Sequence, residues 1–137
     1  MAPIESSVGG TIVFPLSQWD GRPVEGLALT IEAGLVTGVS ATRGQAAAEA
    51  ELAGVPAEAR AFREFALGFN PLLAVPERSP WIPYYGYGAG VVRLSLGDNS
   101  EFGGEVGGGY VRWNFFTDTT VTVDGDVWVD DGRLVAP

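Results

Sequence analysis

A chain of 137 residues, 46% hydrophobic and 18% charged, has room for one domain around one core and is too apolar to be disordered. It contains no histidine and no cysteine, which excludes a disulfide framework, a zinc ribbon, a thiol nucleophile, a Ser-His-Asp triad and a His-ligated metal centre. The net charge of −9 repels nucleic-acid phosphate and anionic membrane alike, and every basic residue is an arginine, which neither accepts a proton nor forms a Schiff base. No apolar run approaches the ~20 residues of a bilayer span. Residues 1–10, MAPIESSVGG, lack the basic start and apolar stretch of a secretory signal, so the expected location is the cytoplasm.

Strand-like segments come first. Thr11 to Leu16 and Leu27 to Glu32 read as strands, the second with Leu27, Leu29 and Ile31 on one face. Leu35 to Ser40 follows a tight Ala33-Gly34 turn and pairs with the preceding strand as a hairpin. Residues 44–67 are rich in helix formers and predict two short helices split at Gly54-Val55-Pro56, the second stopped by Gly68 and Asn70-Pro71. Residues 70–88 form a proline- and aromatic-rich loop. Strands resume at Gly90 to Leu96, Gly109 to Phe116, Thr119 to Val123 and Asp126 to Val129, with turns at Gly97-Asp98-Asn99, Asp124-Gly125 and Asp131-Gly132. The expected fold is α+β: one domain over 1–137, mostly antiparallel, barrel-like sheet with two short helices inserted after the first hairpin. The glycine clusters at 86–90 and 103–109 lack a P-loop lysine or dinucleotide-binding spacing, so they read as turns.

Five segments carry a family resemblance in consistent order: GGTIVFPLSQWDGRPVEGLALTIEAGLVTGVSATRG at 9–44, REFALGFNP at 63–71, GVVRLSLGDN at 90–99, GGYVRWNFF at 108–116 and VTVDGDVWVDDGRLV at 121–135. Together they resemble the C-terminal part of aminopeptidase T and related thermophilic leucyl aminopeptidases. The resemblance implies two adjacent divalent metals held by two glutamates, two histidines and an aspartate, and a homodimer. Carried across by position, the first glutamate falls before the chain starts and Glu64 occupies the second, at a helix end. The strand histidine becomes Arg93, and the His-x-Asp pair becomes Arg112-Trp113-Asn114. A guanidinium has no lone pair to ligate a metal, and the amide of Asn114 carries no charge. One carboxylate and one amide are too few for a tight site, so neither a metal, a cofactor nor peptidase activity is expected.

Strand alternation places Tyr110, Arg112, Asn114 and Phe116 on one face. If the implied architecture holds, Arg93, Arg112 and Glu64 converge where the metals stood. The candidate catalytic residues are then Glu64, Arg112 and Tyr110, and the candidate substrate contacts Arg93, Asn114, Trp81, Tyr84, Tyr85 and Tyr87. Without His, Cys or Lys such a site works by holding a substrate in a reactive conformation beside fixed hydrogen-bond donors, which suits a metal- and cofactor-free cyclase or isomerase acting on a polyketide-like small molecule. The plainer reading of Arg93 and Glu64 is an inert salt bridge, or for Glu64 a helical pair with Arg60. The other expectations are a non-catalytic dimerising or partner-docking module, or an inactive piece of a metalloaminopeptidase-like protein.

Overall fold

Period-two burial at Leu27, Leu29 and Ile31 anchors the first sheet. The computed structural model describes residues 1–73 and 88–135. Strands β1 (Gly10–Trp19), β2 (Arg22–Glu32) and β3 (Leu35–Ser40) form an antiparallel meander in the order β1-β2-β3. Leu27 and Leu29 are fully buried and Ile31 nearly so, each burial contributing roughly 1.5–3 kcal/mol. The turns are Asp20-Gly21 and Ala33-Gly34, all four residues at positive φ, which is the backbone that matches the twist of a two-residue hairpin. Gly34 is required twice over, since a Cβ there would also collide with the Glu5 carbonyl.

One helix, α1 (Gln45–Ala53), packs its buried Ala47, Ala48 and Leu52 toward this sheet. The second expected helix is absent. After a 3-10 turn at Ala57–Ala59 the chain extends into β4 (Phe62–Leu67). Non-local hydrogen bonds override the helix propensity of this stretch: the Val36 amide donates to the Arg60 carbonyl, the Phe62 amide to Gly34 and the Gly97 amide to Ala61, at 2.8–2.9 Å. Phe62, Arg63 and Glu64 are buried in succession, as in a strand covered on both faces. Glu64 is therefore not at a helix end, and Arg60 is not its helical partner; the Arg60 Nε donates instead to the Val55 carbonyl at 3.0 Å.

The second sheet has the order β4-β5-β6, with β5 at Val92–Gly97 and β6 at Val111–Phe116. A third comprises β7 (Val121–Val123), β8 (Asp126–Asp130) and β9 (Arg133–Leu134), antiparallel, with turns at Asp124-Gly125 and Asp131-Gly132. Among the described residues, three three-stranded sheets replace the expected barrel-like sheet; the coarser α+β, mainly antiparallel expectation holds. The chain divides into two compact units, Met1–Glu64 with Ser95–Arg112, and Phe65–Leu94 with Trp113–Pro137. In the first, Phe14 packs edge-on against the fully buried Trp19, ring centroids 5.9 Å apart. In the second, Phe69 meets Trp128 at 6.2 Å beside the buried Val129. Among the described residues, no helix is long and apolar enough to cross a membrane.

Candidate functional site

Two arginine-centred clusters lie in the first unit. The first gathers on Glu51, in the last turn of α1. Residues 47, 48, 51 and 52 share a helical stripe, and Glu51 is the carboxylate within it. The Tyr110 hydroxyl donates to Glu51 Oε1 at 2.9 Å, and Arg112 Nη1 donates to the same oxygen at 3.1 Å. The Asp20 amide donates to Oε2 at 2.8 Å, tying the β1–β2 turn to the helix. Arg112 Nη2 donates to the Gln18 carbonyl at 2.7 Å, and the guanidinium lies 3.5 Å from the centre of the Trp19 ring, a close cation–π contact. The Arg112 and Glu51 side chains keep 18% and 21% of their exposure.

Tyr110 and Arg112, two positions apart at the start of β6, thus present their side chains to one carboxylate. Burial pushes the Tyr110 phenol well above its ordinary range; the hydrogen bond to Glu51 and its negative charge push the same way, and Arg112 partly opposes them. At neutral pH Tyr110 is a hydrogen-bond donor, not a base.

The second cluster surrounds Arg63, whose side chain is almost fully buried. Its Nε donates to the Asp98 carbonyl at 2.6 Å, and Nη1 donates to Glu64 Oε2 at 2.6 Å and to Ser95 Oγ at 3.2 Å. Nη2 binds the largely exposed Glu101 carboxylate, and the guanidinium lies 4.6 Å from the Phe102 ring centre. Glu64 is itself buried, so a guanidinium balances its charge from the adjacent position in the chain. A buried carboxylate without such a partner would be several kcal/mol less stable.

A third knot joins distant segments of the same unit. The fully buried Asn99 donates through Nδ2 to Glu5 Oε1 at 3.0 Å and accepts from the Val106 amide at 3.0 Å. Asp98 accepts from the Ser100 hydroxyl at 2.6 Å, the Ser100 amide at 2.9 Å and the Gly109 amide at 2.9 Å.

Arg93 is half-buried on β5 in the second unit. Asn114, also in that unit, is buried and donates to the Leu94 carbonyl at 3.2 Å. Trp81, Tyr84, Tyr85 and Tyr87 lie outside the described residues. Sequence reasoning missed Glu51, Arg63 and Glu101. The helical stripe at 47, 48, 51 and 52 was a usable signal for Glu51, whereas nothing local marks Arg63, whose hydrogen bonds to Asp98, Ser95 and Glu101 reach 32–38 residues along the chain. Among the described residues, no group of three or more His, Cys, Asp or Glu side chains is placed to hold a metal ion. Compared with family models, curated proteins and solved structures, the chain matches none.

Proposed function

We propose that this chain is a non-catalytic, metal-independent module that associates with a second copy of itself. The observation that carries the reading is the closure of Glu51 by three internal donors, the Asp20 amide, the Tyr110 hydroxyl and Arg112. A catalytic group needs unspent hydrogen-bonding capacity aimed at a substrate. Here Tyr110 spends its proton on Glu51, Arg112 spends both terminal nitrogens within the fold, and Glu64 is matched to Arg63. These groups serve as ties between the helix, the first hairpin and the start of β6.

The association surface in this reading is β1, the outer strand in the order β1-β2-β3, where Val13 and Leu16 are 55% and 64% exposed around Pro15. Apolar residues clustered on a strand surface favour burial against a partner, and a two-fold pairing would set like residues against like. Sedimentation equilibrium of the wild type and of a Val13→Ser/Leu16→Ser variant tests it. A wild-type dimer and a folded monomeric variant are expected. A wild type that stays monomeric through the micromolar range refutes the reading.

The cyclase or isomerase reading keeps one specific support: a phenol held protonated beside a guanidinium, both partly accessible, becomes a pair of donors for a developing oxyanion once a substrate displaces Glu51 from them. It requires that Tyr110→Phe abolish turnover of a small-molecule substrate while the melting temperature falls by no more than the loss of one hydrogen bond.

A further inference from the structure

A groove of about 270 Å³ runs between α1 and β3 on the first unit, away from the Glu51 and Arg63 clusters in its lining. Val36, Thr37, Gly38 and Val39 of β3 form one wall, Glu49, Leu52 and Ala53 of α1 the other, and Arg60 completes it. Its shape has a local cause. The β2–β3 register shifts between Thr30 and Ile31, so that Thr30 faces Gly38 while Ile31 faces Val36. The extra residue turns β3 locally, which lets Val36 and Val39 border one space although they are three positions apart. Gly38 and Ala53 carry too little side chain to fill it.

Arg60 gives the groove its chemistry. Its backbone is fixed from both sides, the amide donating to Ala57 and the carbonyl accepting from Val36. Its Nε is used on the Val55 carbonyl. Among the described residues the two terminal nitrogens have no hydrogen-bond or ion-pair partner, although the side chain is only half-exposed. A guanidinium with its stem anchored and its outer edge open is organised for a carboxylate. The apolar wall of Val36, Val39, Leu52 and Ala53 asks for a hydrocarbon body on the same molecule. The space is a little below the roughly 300–1,000 Å³ of drug-sized pockets, so the body is short.

We propose that the α1–β3 groove binds a short apolar monocarboxylate, its carboxylate on Arg60 and its hydrocarbon chain against Val36, Val39 and Leu52. Glu49, exposed at the mouth and accepting from Gln45 Nε2 at 2.8 Å, opposes a second negative charge and restricts the ligand to one carboxylate. This site is independent of the self-association proposed above.

The test is a titration of the 15N-labelled protein with 4-methylpentanoate, and with 4-methylpentanamide as the uncharged shape match, followed by amide shift changes. Saturable shifts centred on residues 36–39 and 49–53 are expected for the acid, with the amide at least roughly tenfold weaker. Arg60→Gln should weaken the acid by a similar factor while leaving the rest of the spectrum in place, and Glu49→Gln should tighten it. Any one of three outcomes overturns the proposal: no saturable shifts with the acid, shifts centred elsewhere, or equal binding by wild type and Arg60→Gln.

Discussion

Replacing Glu51 by glutamine removes one charge and almost no volume. It removes the carboxylate that pairs with the Arg112 guanidinium over Trp19, and it sets a donor NH2 where either Arg112 or the Asp20 amide now donates. An exposed ion pair is worth about 0–1 kcal/mol, whereas breaking a fully buried one costs about 3–5 kcal/mol. With side-chain exposures of 18% and 21% the pair lies between these limits, so a loss of about 2 kcal/mol is expected. For a chain of 137 residues this corresponds to a fall in melting temperature of roughly 6–10 °C. Circular dichroism melts of Glu51→Gln and Arg112→Ala, followed by the double variant, measure both the loss and the coupling. A coupling of at least about 1 kcal/mol is expected for residues sharing one network. If Glu51→Gln melts with the wild type, or the two losses simply add, Glu51 is not the structural tie that the non-catalytic reading needs.

Arg63→Met should be far more damaging, by about 3–5 kcal/mol in urea unfolding, because it removes the guanidinium that donates to the buried Glu64 carboxylate; Arg63→Met/Glu64→Gln should recover much of that loss. Acid unfolding has a defined contribution from two half-buried carboxylates. Glu5 is held below its ordinary pKa chiefly by the Glu105 amide, then its own amide and Asn99, and Asp98 chiefly by the Ser100 hydroxyl, then the Ser100 and Gly109 amides. Folded-state values below the unfolded ones mean that this stabilisation is complete above about pH 4 and is lost as the pH falls through the depressed values. An Asp98→Asn variant should therefore show a shallower fall in melting temperature below about pH 4 than the wild type; an identical slope contradicts the assignment. Gly34→Ala should destabilise more than Gly21→Ala, since both have positive φ but only the first meets the Glu5 carbonyl, and paired thermal melts compare them directly.

Much of the sheet structure was legible because its signals are short-range. The alternation at Leu27, Leu29 and Ile31 and the turns at Ala33-Gly34, Asp124-Gly125 and Asp131-Gly132 each need only a few neighbouring residues to be read. The segment 57–67 was misread because alanine and glutamate favour helix locally, while the hydrogen bonds that claim it come from Gly34, Val36 and Gly97. The first hairpin was only half seen: residues 17–26, SQWDGRPVEG, are mostly polar or turn-forming, so the continuation of β1 to Trp19, the Asp20-Gly21 turn and the start of β2 went unread. Of the candidate residues, Tyr110 and Arg112 do share a carboxylate, but it is Glu51 rather than Glu64 that joins them in the contacts described above. Alternation gives the face of a strand; which helix residue meets that face is decided by tertiary packing.

The first unit is interrupted by residues 65–94, and its polar ties reach from Glu5 to Asn99 and Glu105. During synthesis, the opening meander can form as soon as its strands leave the ribosome, yet the carboxylates of Glu5, Glu51 and Glu64 must wait for residues 95–112 before their network is complete. Sequence separations of 94 and 100 residues also make loop closure a slow step. A nascent chain halted near residue 90 should consequently be readily cut by protease, and one extended past Arg112 should become resistant.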